Sequence, residues 1–385
     1  MAGPDDPVYL DYNATTPVLG EVVDAMLPYL REHFGNPSSG HVYGARAMAA
    51  VDEARDRVAA LLGARPSEVV FTSGGTEANN LAIRGVTARL PEPGHVVTSL
   101  IEHPATSRPC AQLERQGFAV TRVGVDDGGR VRPEDLGRVV TGGTALVTLM
   151  HSNNETGVLQ PIQEAARLAH DQGALMHTDA AQSVGKVPID VAALGVDLLS
   201  LAGHKLYAPK GVGALYVKAG TELAPLVLGA GHEGGRRPGT ENVASIVGLG
   251  VACEIARRDL EASSTRLRRL RDQLWDLLRV EVAGLAINGA PGARLPNTLN
   301  VRFPEVSGTA LLAGAPEVAA STGSACHDGR ETASAVILAM GVPPASAAGS
   351  VRLTLGRGTT DEHVETAARA LVRSWRTLVR PRTIP

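Results

Sequence analysis

The sequence predicts an α/β protein, a large unit built on a mostly parallel sheet followed by a smaller α+β unit. Two observations predict this. Short apolar runs alternate with helix-like stretches through the first two-thirds of the 385 residues, the pattern of a parallel sheet with helices on both faces. The texture then changes near residue 255, where a long, charged, amphipathic stretch begins. A chain of this length exceeds one minimal domain. The expected division is 15–255 for the large unit, and 1–14 with 256–385 for the small one.

The elements follow in order. A strand at 69–71 runs into Ser73-Gly74-Gly75-Thr76-Glu77, with a helix from Ala78. Residues 95–100 read as a strand and 104–116 as a helix. Four further strands, at 145–150, 174–177, 197–201 and 213–217, carry continuous apolar character and so belong in a sheet interior. Beyond the helix at 257–279 come a strand at 299–303, a loop holding Cys326, a helix at 333–340, a strand at 351–355 and a terminal helix from Asp361.

Bulk properties exclude several classes. A net charge of −3 offers nothing to nucleic acid or an anionic membrane surface. No apolar run approaches the ~20 residues needed to span a bilayer, and the first residues lack a signal-peptide pattern. The chain is therefore expected to be soluble and cytoplasmic. Its three cysteines, Cys110, Cys253 and Cys326, are odd in number and lack metal-ligand spacing, so neither a disulfide framework nor a zinc site is expected.

Lysine usage is the sharpest compositional signal. Of 37 basic side chains only four are lysines, all between Lys186 and Lys218. Arginine cannot be deprotonated in a protein, so it can neither form a Schiff base nor act as a general base. A chain that uses arginine elsewhere and lysine only here has reason to need a deprotonatable amine, although compositional drift would leave the same count. Lys205, in Ala202-Gly203-His204-Lys205, follows a strand end and lies 26 residues after Asp179. Lys210, in a Pro/Gly setting, is the rival and reads as an exposed turn.

Two more motifs bear on a ligand. The Ser73–Glu77 loop joins a strand to a helix, where glycines and free amides suit an anion such as phosphate, or form an ordinary helix cap. Asp179 follows an apolar run at the end of a buried strand, where open α/β sheets meet ligands. A carboxylate buried there needs a cationic partner, although a helix-capping aspartate would read the same way.

Taken together, these motifs make the chain similar to the cysteine desulfurase and selenocysteine lyase branch of the class V aminotransferase group. That group comprises fold-type I enzymes dependent on pyridoxal 5'-phosphate (PLP). The markers include Asp11-Tyr12-Asn13-Ala14-Thr15-Thr16-Pro17, Asn153-Asn154-Glu155-Thr156-Gly157, His177 to Gln182, Arg237-Pro238-Gly239-Thr240 and Pro296-Asn297-Thr298. The resemblance implies a seven-stranded sheet and a residue-by-residue site. Lys205 would hold the cofactor covalently, Asp179 would pair with its ring nitrogen, and Gln182 would bond its phenolic oxygen. His103 would stack on the ring and exchange protons, while Gly75, Thr76 and His204 would hold the phosphate. Asn153 would sit beside the ring and the substrate carboxylate, which Arg352 would clamp. Thr240 would reach the phosphate of a second subunit, implying a homodimer with shared active sites. Ala202 stands where many desulfurases carry a serine touching that phosphate.

Of the cysteines, Cys110 and Cys253 sit among apolar neighbours, the usual fate of a free thiol. Cys326 lies in Gly323-Ser324-Ala325-Cys326-His327-Asp328-Gly329, which is too small and polar to form a core. The resemblance makes it the reactive thiol that receives sulfur from L-cysteine as a persulfide for an acceptor protein. L-selenocysteine is the rival substrate, to which His327 and the Glu155-Thr156-Gly157 run lean. A relay or scaffold partner with little turnover is a third reading, opposed by the full set Lys205, Asp179, Arg352 and Cys326.

Overall fold

The structure, a computed structural model, describes residues 6–322 and 333–379. The chain opens with β1 (Val8–Tyr9), α1 (Gly20–Arg31) and α2 (Val42–Leu62), then β2 (Val69–Thr72), α3 (Gly75–Thr87), β3 (His95–Ser99) and α4 (Pro104–Arg115). Next come β4 (Ala119–Val123), α5 (Pro133–Val139), β5 (Thr144–Met150), α6 (Ile162–Asp171), β6 (Leu175–Asp179), α7 (Val191–Leu194), β7 (Leu198–Ala202) and β8 (Gly213–Val217). The rest of the chain forms α8 (Val243–Glu281), β9 (Ala286–Ile287), β10 (Thr298–Arg302), α9 (Gly308–Ala313) and β11 (Val318–Ala319). After the undescribed residues come α10 (Ala335–Ala339), α11 (Pro344–Ala347), β12 (Ser350–Thr354) and α12 (Asp361–Val379).

Seven strands form one sheet in the order β2-β8-β7-β6-β5-β3-β4. β8 runs antiparallel to both neighbours, and the other pairings are parallel. Strands β7 and β8 are buried along their whole length, as expected of strands covered on both faces. The strand missing from the sequence reading is β4. It lies at the sheet edge, only Val123 of it is buried, and Arg122 faces out to pair with Glu114 on α4. An edge strand carries charge outward, which erased the continuous apolar run that marked its neighbours.

The helix expected at 257–279 is the second half of α8, which runs for 39 residues, about 58 Å. Its first half packs on α1 and α2. Gly248 and Gly250 make that approach possible: a Cβ on Gly250 would stand 2.6 Å from the Ala54 Cα. These glycines lower helix propensity and blurred the helical pattern there.

The second half of α8 lies against α12 and the small antiparallel sheet β12-β10-β9. Leu270, Leu274 and Leu278 join Val301, Leu353 and Leu371 in an apolar cluster separate from that beneath the large sheet. The N-terminal strand β1 pairs with β11, and Leu10 is buried in this second cluster. The Asp11-Tyr12-Asn13 turn is thereby carried to the C-terminal ends of β6 and β7, where the Asn13 carbonyl accepts from Gln182 and Lys205. No helix among the described residues is long and apolar enough to cross a membrane.

Candidate active site

The crossover strands of the large sheet end on one side. β2 ends at Thr72, β5 at Met150, β6 at Asp179 and β7 at Ala202. The loops leaving these ends enclose a cavity of about 390 Å³, within the usual range for small-molecule sites. Gly75, Thr76, His103, Asp179, Gln182, His204, Lys205 and Arg352 all line it. Eight of the expected site residues, distant in sequence, therefore meet in one place.

Asp179 is the last residue of β6 and is 8% exposed. Its carboxylate accepts from Asn79 Nδ2 at 2.6 Å and from the Ala181 amide at 3.0 Å. Both donors are neutral, and among the described residues no ion pair balances this charge. A protonated ring nitrogen is the partner such a carboxylate lacks. Asn79 sits on α3 one turn after Thr76, and its Oδ1 is buried without a partner. His177, two residues before Asp179, is structural. It lies between the Thr148 and Ser200 hydroxyls at 2.7 and 3.0 Å, and burial holds its pKa down at about 3.

Lys205 follows β7 on a short 3-10 turn. Its Nζ donates to the Ala14 carbonyl at 2.7 Å and to the Asn13 carbonyl. Burial first, then the Arg352 charge, pull its pKa down to about 8, against opposing pulls from Asp11 and Asp179. An amine that sheds its proton near neutrality is one equipped to attack an aldehyde. Lys210 lies exposed on the next turn, outside this cavity but beside the Ser73–Glu77 loop.

At the anion end, Gly74 precedes α3 with φ of 149°, a region open only to glycine. A Cβ on Gly75 would sit 3.2 Å from the Ala202 Cβ, so the glycine keeps open the space before the first free amides of α3. His204 approaches the Thr15 hydroxyl at 3.2 Å, and burial with the neighbouring lysines lowers its pKa to about 4. Neutral carboxylate partners, an open glycine cradle and a lowered lysine all fit PLP.

His103 caps α4, its Nδ1 accepting from the Ala105 amide at 3.1 Å. A ring nitrogen that accepts carries no proton, so Nε2 is the protonated one. Burial, together with the Lys205 charge, lowers its pKa despite Asp179. Next to it, burial pushes the Glu102 carboxyl up to about 8 while the Ser99 hydroxyl and Met150 amide donate to it.

Arg352 lies on β12 of the small sheet. One amino group donates to the Asn154 carbonyl at 3.0 Å and the other to Asp11 at 2.8 Å, while Nε is buried without a partner. The backbone amide of Arg352 bonds the Ser321 carbonyl at 2.7 Å, tying its strand to the chain that leads toward Cys326. Beyond the undescribed residues, the Ser334 hydroxyl donates to Glu155 at 2.5 Å. Cys326 and His327 lie outside the described residues. Burial drives the other thiols, Cys110 and Cys253, up to about 12, which makes both inert.

One expected residue is placed elsewhere, and Thr240, expected to act on a second subunit, does not line this cavity. Asn153 is fully buried, and its amide is spent inside the turn: Oδ1 accepts from the Glu155 and Thr156 amides at 2.9 Å, and Nδ2 donates to the Ile101 carbonyl at 3.1 Å. Asn154 lines the cavity instead. The sequence presents two adjacent asparagines, and only the turn decides which faces in. Thr240 is exposed on the loop before α8, away from this cavity. Sequence reasoning assigned no role to Asp11, Asn13, Asn79 or Lys186. Their signal is position alone, and it becomes visible once the elements are assembled.

The family model for Aminotransferase class-V matches residues 8–366. The chain is 47% identical over 365 residues to the cysteine desulfurase NifS of Azotobacter vinelandii, covering 94% of this chain and 91% of that one. It is 46% identical over 358 residues to the cysteine desulfurase IscS of Dictyoglomus turgidum (strain DSM 6724 / Z-1310), covering 92% and 91%. A NifS-like protein of known structure superposes with a TM-score of 0.91 at 35% identity, over 97% of this chain and 100% of that one.

Proposed function

The chain belongs to the Aminotransferase class-V family, and we propose that it is a PLP-dependent cysteine desulfurase. In this reading it converts L-cysteine to L-alanine and passes the sulfur, through Cys326, to an acceptor protein. One observation carries the site reading: Asp179, Lys205, Arg352 and the Gly75–Thr76 turn converge on one cavity. The desulfurase relatives supply the reaction.

Lys205 would hold the cofactor, Asp179 would keep its ring nitrogen protonated, and Gln182 would donate to its phenolic oxygen. Gly75, Thr76 and His204 would hold the phosphate, with Thr240 of a second copy completing it in a homodimer. His103 would face the ring. When bound, the cofactor draws electrons from the substrate's α-carbon and makes its proton acidic. Lys205, neutral in part near pH 8, takes that proton. Arg352 holds the substrate carboxylate in place of Asp11, with Asn154, rather than Asn153, beside it. Cys326 attacks the substrate sulfur as a thiolate. The carbon–sulfur bond breaks, a sulfur–sulfur bond forms, and the carbon left behind is protonated on the way to alanine. His103 Nε2–H is a proton source within the cavity.

A division at 15–255, with 1–14 and 256–385 forming the second unit, is supported by the two separate apolar clusters. A cytoplasmic location accords with a reaction that needs a reduced thiol. The test is product formation with L-cysteine and with L-selenocysteine. The parent is expected to give alanine and persulfide sulfur from L-cysteine. Cys326→Ala is expected to keep the cofactor's colour and lose sulfur release. Full L-cysteine turnover by that variant would sink the role of Cys326, and turnover of L-selenocysteine alone would move the function to a lyase.

A further inference from the structure

Of the three lysines the reaction leaves unused, Lys186 alone is not exposed. It follows Gln182 by one helical-type turn, and the segment between them is a run of tight turns. Its Nζ donates to Gln182 Oε1 at 2.9 Å and to Asn13 Oδ1 at 3.3 Å. Gln182 in turn donates through Nε2 to the Asn13 carbonyl at 2.9 Å. That same carbonyl accepts from Lys205 Nζ. The Gln182 side chain therefore has one end on an ammonium and the other beside the cavity amine.

An ammonium has three donors and no acceptor. The amide end facing Lys186 must be the oxygen, and the end facing the Asn13 carbonyl must be the NH2. Turning the amide over would set NH2 against ammonium and oxygen against carbonyl, making both contacts repulsive. Asn13 is held equally firmly, with Nδ2 on Thr298 Oγ1 at 3.0 Å and Oδ1 also accepting from Asn297 at 3.1 Å. The NH2 of Gln182 has a second hydrogen to give, and Gln182 lines the cavity.

We propose that Lys186 is a positioning residue that locks the Gln182 amide with its oxygen inward, so that the cavity is offered a donor and accepts an anionic ring oxygen. This rests on the PLP reading of the cavity. The charges near Lys186 are Lys205 and Arg352, with Asp11 paired to Arg352. Both cations disfavour a second charge there, and burial lowers the Lys186 pKa to about 7. Below that pH the group can only donate, and above it the neutral amine still has hydrogens to give Gln182 Oε1, whereas an apolar side chain would leave the amide free to turn.

The test is a pH titration of the bound cofactor's visible band, without substrate, in the parent, Lys186→Met, Gln182→Leu and the double variant, with melting curves to confirm folding. A donor to an anionic oxygen lowers its pKa, so each single variant is expected to move the midpoint up by about 1 pH unit. The double variant is expected to move it no further, because Lys186 acts through Gln182. Lys186→Arg, which keeps a donor-only group, is expected to retain the parent midpoint. An unmoved midpoint in Lys186→Met overturns the proposal. So does a double variant in which the two shifts add, which would mean that the charge acts through space. A Lys186→Arg midpoint displaced as far as that of Lys186→Met overturns it also. A parent protein with no cofactor band at all would instead overturn the PLP reading, and this proposal with it.

Discussion

Lys205 offers the most direct test of the site electrostatics. Its pKa of about 8 stands below the ordinary 10.5. At pH 7.5 an amine of pKa about 8 is about one-quarter neutral, against about one part in a thousand at 10.5, a gain of roughly 200-fold in nucleophile. The largest cause is burial and the next is Arg352, so Arg352→Met should raise the midpoint only part of the way. The assay is amine acylation of the cofactor-free protein across pH, followed by peptide mass analysis. The chain has only four lysines, and peptide mapping separates the Lys205 signal from that of Lys186, whose pKa is also lowered, to about 7. The expected labelling midpoint is near 8, rising in Arg352→Met. A midpoint near 10.5 would refute the argument. The sign for stability follows from proton counting. The unfolded chain binds more protons between pH 8 and 10.5, so the penalty is present in full below 8 and is relieved as pH rises through that window.

Five further outcomes are expected. Asn154→Ala should raise KM for cysteine with little loss of stability. Asn153→Ala should instead cost about 1–3 kcal/mol in a denaturant melt, because two buried amides lose their acceptor. Ala202→Ser should tighten PLP binding by about 2- to 10-fold in equilibrium dialysis, the worth of one added hydrogen bond; unchanged affinity would show that the hydroxyl finds no phosphate. Gly250→Val should lower stability by at least about 1–3 kcal/mol, since its side chain meets the Ala54 backbone. Arg352→Lys should raise KM for cysteine about 10-fold or more, because a point charge cannot form the planar double contact of a guanidinium with carboxylate.

Much of the fold was legible because the buried strands are continuous apolar runs. Six of the seven strands of the large sheet were placed within two residues at each end. β4 was not, since a strand at a sheet edge is free to carry Arg122. The first half of α8 was not either, since glycines chosen for close packing on Ala54 suppress the local helical signal. Asp179 and Lys205 were legible from sequence because each combines a rare chemistry with a strand end. Asn79 and Asp11 carry no such mark.

By itself, then, the sequence determined the α/β class, the strand ends that carry chemistry, and the scarcity of lysine that singled out Lys205. These are properties of neighbours along the chain. Tertiary structure alone decided which asparagine of the 153–154 pair faces the cavity, that Asp11 pairs with Arg352, and that Lys186 meets Gln182 and Asn13. Those contacts join residues up to 341 positions apart. Their geometry depends on how the strands of two sheets are brought together, which no local pattern records.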